Sequence, residues 1–204
     1  MVIPSPGMGE GETKTPEGGK AMQIERVHHV AYRCRDAKET VEWYGKHLNM
    51  KFVLAIAENQ VPSTKEPDPY MHVFLDAGGG NILAFFELPG SPEMGRDPNT
   101  PAWVQHLALK VDSVDTLIAT KERLEAAGIS VVGPTDHTIF KSIYFFDPNG
   151  HRLELAADTA SPRMLEKLDE VKWDMIEEWS KTRRAPEHAR WMHDGSWREA
   201  AAEG

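Results

Sequence analysis

Two histidines and two glutamates recur in one pattern along this 204-residue chain, and together they have the chemistry of a metal site. His29-Val30-Ala31-Tyr32-Arg33-Cys34 lies over His106-Leu107-Ala108-Leu109-Lys110-Val111 when the sequence is slid by 77 residues. Each is a short strand-like run opening on a histidine. Each is answered downstream by a glutamate in an apolar run: Glu87 in Ala84-Phe85-Phe86-Glu87-Leu88, Glu154 in Arg152-Leu153-Glu154-Leu155. Neighbouring strand residues point to opposite faces, so His28 and His29 cannot serve one site, and the repeat selects His29 as the partner of His106. A strand glutamate is costly to bury unless something binds it. Imidazole with carboxylate suits Fe(II), Mn(II), Ni(II) or Zn(II) better than Mg(II) or Ca(II), which favour oxygen alone.

The elements that must position these residues read as two copies of β-α-β-β-β, an α+β architecture. The first helix begins at Asp36, an N-cap with Glu39 in the capping-box position, and puts Val41, Tyr44 and Leu48 on one face. The second begins near Ser113, shows Val114, Leu117, Ile118 and Leu124, and stops at Gly128. Extended segments follow: Lys51 to Ile56, Tyr70 to Asp76 and Asn81 to Leu88, then Ser130 to Val132, Ser142 to Phe146 and Arg152 to Ala156. The first copy is ten residues longer between its histidine and glutamate, and the excess is assigned to a polar, proline-rich loop from Glu58 to Pro69. Two such modules, about 24–90 and 101–158 within a domain 23–158, would form a cleft between their sheets. Residues 1–22, rich in Pro and Gly, read as a flexible leader. Beyond Pro162, in a helical extension over 161–204, Met164, Leu168, Val171, Met175 and Trp179 draw one apolar stripe that must dock on something. Trp191 and Trp197 beyond it read as an ordered wrap.

The duplicated β-α-β-β-β pattern with these four positions resembles the vicinal oxygen chelate superfamily, which includes glyoxalase I, extradiol ring-cleaving dioxygenases and antibiotic-resistance binding proteins. The second module is most similar to a small one-domain type I extradiol dioxygenase. Thr135-Asp136-His137, five residues, then Ile143-Tyr144-Phe145-Phe146-Asp147-Pro148-Asn149-Gly150-His151-Arg152-Leu153-Glu154 follows the extradiol signature. Asp147-Pro148-Asn149-Gly150 is also what any tight hairpin requires, so the discriminating residues are His137 and Tyr144. The resemblance implies that His29, His106 and Glu154 hold Fe(II), leaving three of six octahedral positions for two catecholate oxygens and one dioxygen. It implies His137 as acid/base and Tyr144 as hydrogen-bond donor in the substrate pocket. The expected function is cleavage of a catechol-type diol such as 2,3-dihydroxybiphenyl with O2. Tyr70, His72 and Phe74 alternate onto one face and, with Phe86 and Phe140, suit an aromatic ring.

Glu87 leaves an alternative open. As a fourth ligand with His29, His106 and Glu154 it would give a glyoxalase I-type isomerase or lyase; as a residue behind the ligands it would act as a base; or it is a carboxylate at a strand end near solvent. Many extradiol enzymes carry another pocket histidine where this chain has Gly80 or Asn81. A non-enzymatic binding protein is the third reading, and it has no need of four ligand-type residues in register.

Composition narrows the partners. With 23 Lys plus Arg against 32 Asp plus Glu, the net charge of −9 repels nucleic-acid phosphates and anionic lipid. The longest apolar run, Ile82 to Phe86, is far short of the roughly 20 residues of a spanning helix. The one cysteine, Cys34, cannot close an internal disulfide and favours a cytoplasmic setting. A homo-oligomer is expected from the family and from the striped helix.

Overall fold

The first sheet is built on one buried layer of alternating side chains. In the computed structural model, which describes residues 23–196, strands β1 (Val30–Cys34), β2 (Lys51–Gln60), β3 (Pro67–Asp76) and β4 (Ile82–Glu87) form it in the order β1-β4-β3-β2. β1 runs parallel to β4 with Val30 opposite Leu83 and Cys34 opposite Glu87, and β3 runs antiparallel to β4 with Val73 opposite Phe85. Paired residues share a face, so Leu83, Phe85, Val73, Leu75 and Cys34 form one buried layer. Helix α1 (Ala37–Leu48) lies on it, with the fully buried Tyr44 against Phe85 at 5.1 Å. Asp36 caps α1 as expected, accepting from the Glu39 N–H at 2.7 Å.

The stretch from Glu58 to Pro69 is mostly hairpin rather than loop. β2 and β3 stay paired out to Glu58 opposite Tyr70 and Gln60 opposite Pro67, with a register shift between those pairs. The prolines misled because a proline breaks only a strand that needs its N–H; Pro67 is the first residue of β3 and the exposed Pro69 sits near the hairpin's end.

The second sheet has the order β5-β8-β7-β6, from β5 (Leu107–Lys110), β6 (Val132–Asp136), β7 (Phe140–Phe146) and β8 (Arg152–Asp158). Helix α2 (Val114–Ala126) is capped by the Ser113 side chain and is followed by Gly128 at φ +81°. Leu117, Leu124, Ile143, Phe145, Leu153, Leu155 and Ala157 are buried. β6 begins two residues later than the sequence indicates and carries Gly133 at φ +109°, where an added Cβ would lie 2.5 Å from the Ser142 carbonyl oxygen. Only glycine allows this close approach of β6 to β7.

The chain divides into two compact units. One holds described residues 23–107 with the hairpin tip 146–153; the other holds 108–145 with 154–196. In the second, α3 (Pro162–Thr182) starts at the Ser161 cap with proline in its first turn. Of the predicted stripe, Met164 is buried, Leu168, Val171 and Met175 are half-buried and Trp179 is 46% exposed, while Trp173 and Ile176, outside the stripe, lie open. A short helix α4 (Trp191–Asp194) follows, with Lys167 Nζ over the Trp191 ring. The leader 1–22 and Trp197 lie outside the described residues. Among the described residues no helix is long and apolar enough to cross a membrane.

Candidate functional site

His29 and His106 each stand one residue before an edge strand, β1 and β5, as the repeat requires. Both are exposed and both belong to the first unit. The His106 Nδ1 lies 2.9 Å from the Val104 carbonyl oxygen. Nδ1–H donates there, so this tautomer carries its lone pair on Nε2, the arrangement that prepares an imidazole to bind a metal. His29 Nδ1 shares a 2.8 Å hydrogen bond with His28 Nδ1, so ahead of β1 the two rings meet instead of turning to opposite faces as strand alternation predicts. The His29 ring turns to the face of the sheet opposite α1, where it meets Phe74 at 6.0 Å and His72 at 6.3 Å between centroids. His106 also lines a cavity of about 510 Å³ within the same unit, with Tyr32, Arg96, Phe146, His151 and Arg152.

Glu87 lies on the other side of the sheet from His29. Its register with Cys34 and Met71 aligns it with the helix-facing layer, and its Oε2 accepts the Ala37 backbone N–H at 2.7 Å. Ala37 is the first residue of α1, so this carboxylate satisfies an orphan amide and opposes the positive end of the helix dipole. Glu154, by contrast, is the third residue of β8 and not the last residue of its strand. The two closing glutamates thus occupy different depths in their strands. We expect Glu87→Gln to leave metal affinity unchanged while lowering stability by about 0.5–1 kcal/mol, the worth of a charge at a helix N-terminus. Metal titration beside thermal denaturation checks this.

The second unit brings together the remaining candidates. Glu154 is 3% exposed, and Ser142 Oγ donates to its Oε1. Ser142 and Tyr144 share a face of β7 by alternation. His137 Nε2 lies 2.9 Å from the Tyr144 hydroxyl, with the His137 ring 4.7 Å from Phe140. His137 follows directly on β6, in a turn held at every step. The His137 N–H donates to the Phe140 carbonyl, the Thr138 N–H to the Asp136 carboxylate, and Thr159 and Ala160 N–H groups to the Ile139 carbonyl. Thr138 Oγ1 reaches forward to the Met192 carbonyl at 2.8 Å, so the segment around α4 braces the same turn. Among the described residues, no group of three or more His, Cys, Asp or Glu side chains forms a metal-holding cluster.

Three features escaped the sequence reading. Ser142 is visible only as the residue two before Tyr144. The sequence shows His72 as one of an aromatic face; in the structure it is 9% exposed and its ring stacks on Phe86 at 3.6 Å and 16°. Burial, then the charge of nearby His29, pushes the His72 imidazole below its ordinary pKa and keeps it neutral. Third, the Asp147-Pro148-Asn149-Gly150 turn is a docking device as well as a hairpin. The Tyr44 hydroxyl donates to Asp147 Oδ2 at 3.0 Å, Asn149 Nδ2 donates to both Asp147 Oδ2 and Thr40 Oγ1, and the Arg35 N–H donates to Asn149 Oδ1. His151 N–H closes the set on Asp147 Oδ1 at 2.7 Å.

Known proteins agree with this architecture. The chain is 29% identical over 140 residues to "Putative ring-cleaving dioxygenase MhqA" of Bacillus subtilis (strain 168), a match covering 67% of this chain and 42% of that protein. It is 31% identical over 98 residues to "Biphenyl-2,3-diol 1,2-dioxygenase 2" of Rhodococcus globerulus, covering 44% of this chain and 51% of the relative. The chain thus matches about half the length of these curated relatives or less. Among solved structures, a glyoxylase/bleomycin resistance protein/dioxygenase domain from Frankia sp. EAN1pec superposes with a TM-score of 0.54 at 23% identity, over 67% of this chain and all of that one, a likeness of fold. A family profile matches residues 26–155, and with these sheets and helices beneath it the chain belongs to the Glyoxalase/Bleomycin resistance protein/Dioxygenase superfamily.

Proposed function

We propose that this protein is an Fe(II)-dependent extradiol dioxygenase that opens a catechol-type ring with O2, its metal held by His29, His106 and Glu154. The observation that carries this reading is the 2.9 Å hydrogen bond between His137 and Tyr144, on the unit that also carries the buried, serine-bound Glu154. An imidazole in contact with a phenol can accept a proton and hand it back, which is what deprotonating a diol and later reprotonating a ring-opened product demands. The chemistry of the donors suits the metal: His106 keeps its proton on Nδ1 and carries its lone pair on Nε2, and Glu154 is a buried carboxylate with one oxygen already oriented by Ser142. Bound there, Fe(II) would bring diol and dioxygen together and conduct charge between them. The chain's own part is then proton handling. His137 accepts the proton of the second hydroxyl at Nε2, and Tyr144 holds the developing oxyanion through its O–H. Mn(II), Ni(II) and Zn(II) suit the same donors.

The glyoxalase reading needs Glu87 beside the other three ligands, and Glu87 is committed to the first amide of α1 on the far face of its sheet. A resistance-type binding protein has no use for the His137–Tyr144 pair. The test is anaerobic reconstitution with Fe(II) followed by a catechol panel including 2,3-dihydroxybiphenyl. One O2 consumed per diol, with a new visible band from the ring-opened product, is the expected result. Silence across the panel, with Ni(II)- or Zn(II)-loaded protein isomerising a thiol–ketoaldehyde adduct, overturns it.

A further inference from the structure

Two buried side-chain nitrogens among the described residues have no hydrogen-bond partner, Arg33 Nε and His72 Nε2. They are not scattered. Arg33 is opposite Phe86 across β1 and β4, and Phe86 is opposite His72 across β4 and β3, so the three side chains stand in one row on one face of the sheet. With strands about 4.8 Å apart, the two orphan groups flank Phe86 within a span of about 10 Å between backbones. This is the face opposite α1, the one His29 turns to. Arg33 is anchored elsewhere by its Nη2, which donates to the Pro92 carbonyl at 2.6 Å and more weakly to Ser91 at 3.4 Å. Its Nε–H is left over.

A folded core has no need of either nitrogen. Between Phe86 and Phe74, whose centroids lie 3.6 and 4.1 Å from it, His72 could be replaced by another apolar ring with no polar group stranded. Two buried nitrogens are held without partners, one the N–H of a guanidinium and one an imidazole nitrogen that becomes a donor in the Nε2–H tautomer, and together they call for an acceptor that carries negative charge. The aromatic floor calls for a flat apolar body attached to it.

We propose that the Arg33–Phe86–His72 row is a specificity subsite for an acidic ring substituent, so that the substrate is a catechol bearing a carboxylate rather than one with a purely hydrocarbon substituent. This rests on the dioxygenase reading for the word substrate, but the subsite itself makes a claim about binding alone. His29 stands exposed beside His72 on this same face, so the proposed metal ligand and the subsite adjoin.

The experiment is calorimetric titration of the full chain with 3-(2,3-dihydroxyphenyl)propanoate and, separately, its methyl ester. The wild-type protein should bind the acid at least tenfold more tightly. His72→Phe, which keeps the stack, and Arg33→Gln should each reduce that preference several-fold without weakening the ester. His72→Phe should also melt no lower than the wild type, since it removes a stranded nitrogen. Equal binding of acid and ester overturns the subsite and leaves a trapped water as the partner of both nitrogens. A lower melting point for His72→Phe with discrimination intact makes the role structural and overturns it as well. Acid preference in titrations without oxygen uptake would fail the dioxygenase reading and leave the subsite standing; uptake without preference would do the reverse.

Discussion

His137→Ala should lower kcat by about 10²–10⁴-fold while Fe(II) stays bound, because general acid/base groups contribute on that order and this one is not among the proposed metal ligands. Iron content after gel filtration separates the two effects, and a preparation that loses its metal would move His137 into the ligand set. Tyr144→Phe removes one oriented donor and should cost on the order of 10²-fold. Their 2.9 Å hydrogen bond makes them one unit, so the double variant should be far less impaired than the product of the singles. Independent, multiplicative losses would show that the contact is only packing. The turn carrying His137 is pinned by backbone bonds from Thr159 and Ala160 and by Thr138 on Met192, so the alanine variant should keep its fold.

The second large effect is on stability. Asp147 is buried and accepts from Tyr44, Asn149 and the His151 amide. Asp147→Ala strands three donors at about 1 kcal/mol or more each, so a loss of about 3 kcal/mol or more is expected. In a chain of this size that lowers the melting temperature by roughly 6–12 °C. Tyr44→Phe leaves the carboxylate with one donor fewer and should cost about 1.5–3 kcal/mol. The same region sets an alkaline limit. Burial raises the Cys34 thiol to about 11 from 9.0, and burial with the Asp147 charge pushes the Tyr44 phenol well above 10.0. Both must stay protonated in the fold, whereas the unfolded chain releases these protons earlier. Stability is therefore unaffected by them below pH 9; above it Cys34 lowers the folding equilibrium by up to about tenfold per pH unit until about pH 11, and Tyr44 adds its share only above pH 10.0. Denaturant melts at pH 8, 9 and 10 measure it. A flat profile would mean that the Cys34 thiol is no harder to ionise in the fold than in the unfolded chain.

The parts of this molecule that the sequence discloses are those with a local cause. Asp36 and Ser113 cap their helices where they should, Gly128 ends α2, and the 77-residue slide finds both histidines just ahead of equivalent strands. The His137–Tyr144 pair was legible because a seven-residue spacing carries β6's end to β7 across a short turn. What the sequence could not disclose depends on register between distant strands. Glu87 and Glu154 look equivalent because each precedes a leucine in an apolar run. Only the pairing of Cys34 with Glu87 reveals that Glu87 faces the helix. The His72–Phe86–Arg33 row likewise draws on three strands, and no window of sequence contains it. The prolines between Glu58 and Pro69 misled for a simpler reason: proline is tolerated at the first residues of a strand, and Pro67 and Pro69 of β3 lie beyond its pairing with β4, which starts at Met71.

Cys34, the chain's one thiol, is 1% exposed and held protonated beneath α1. A thiol in that state is neither a nucleophile nor a ready target for oxidation. The protein is therefore already suited to site-directed spectroscopy. A cysteine introduced on the His137 turn or on the exposed part of α3 would take up a spin label or fluorophore alone, with no native residue to remove first. Distances between such labels would report directly how the two sheet-bearing units stand to one another when metal and diol are added.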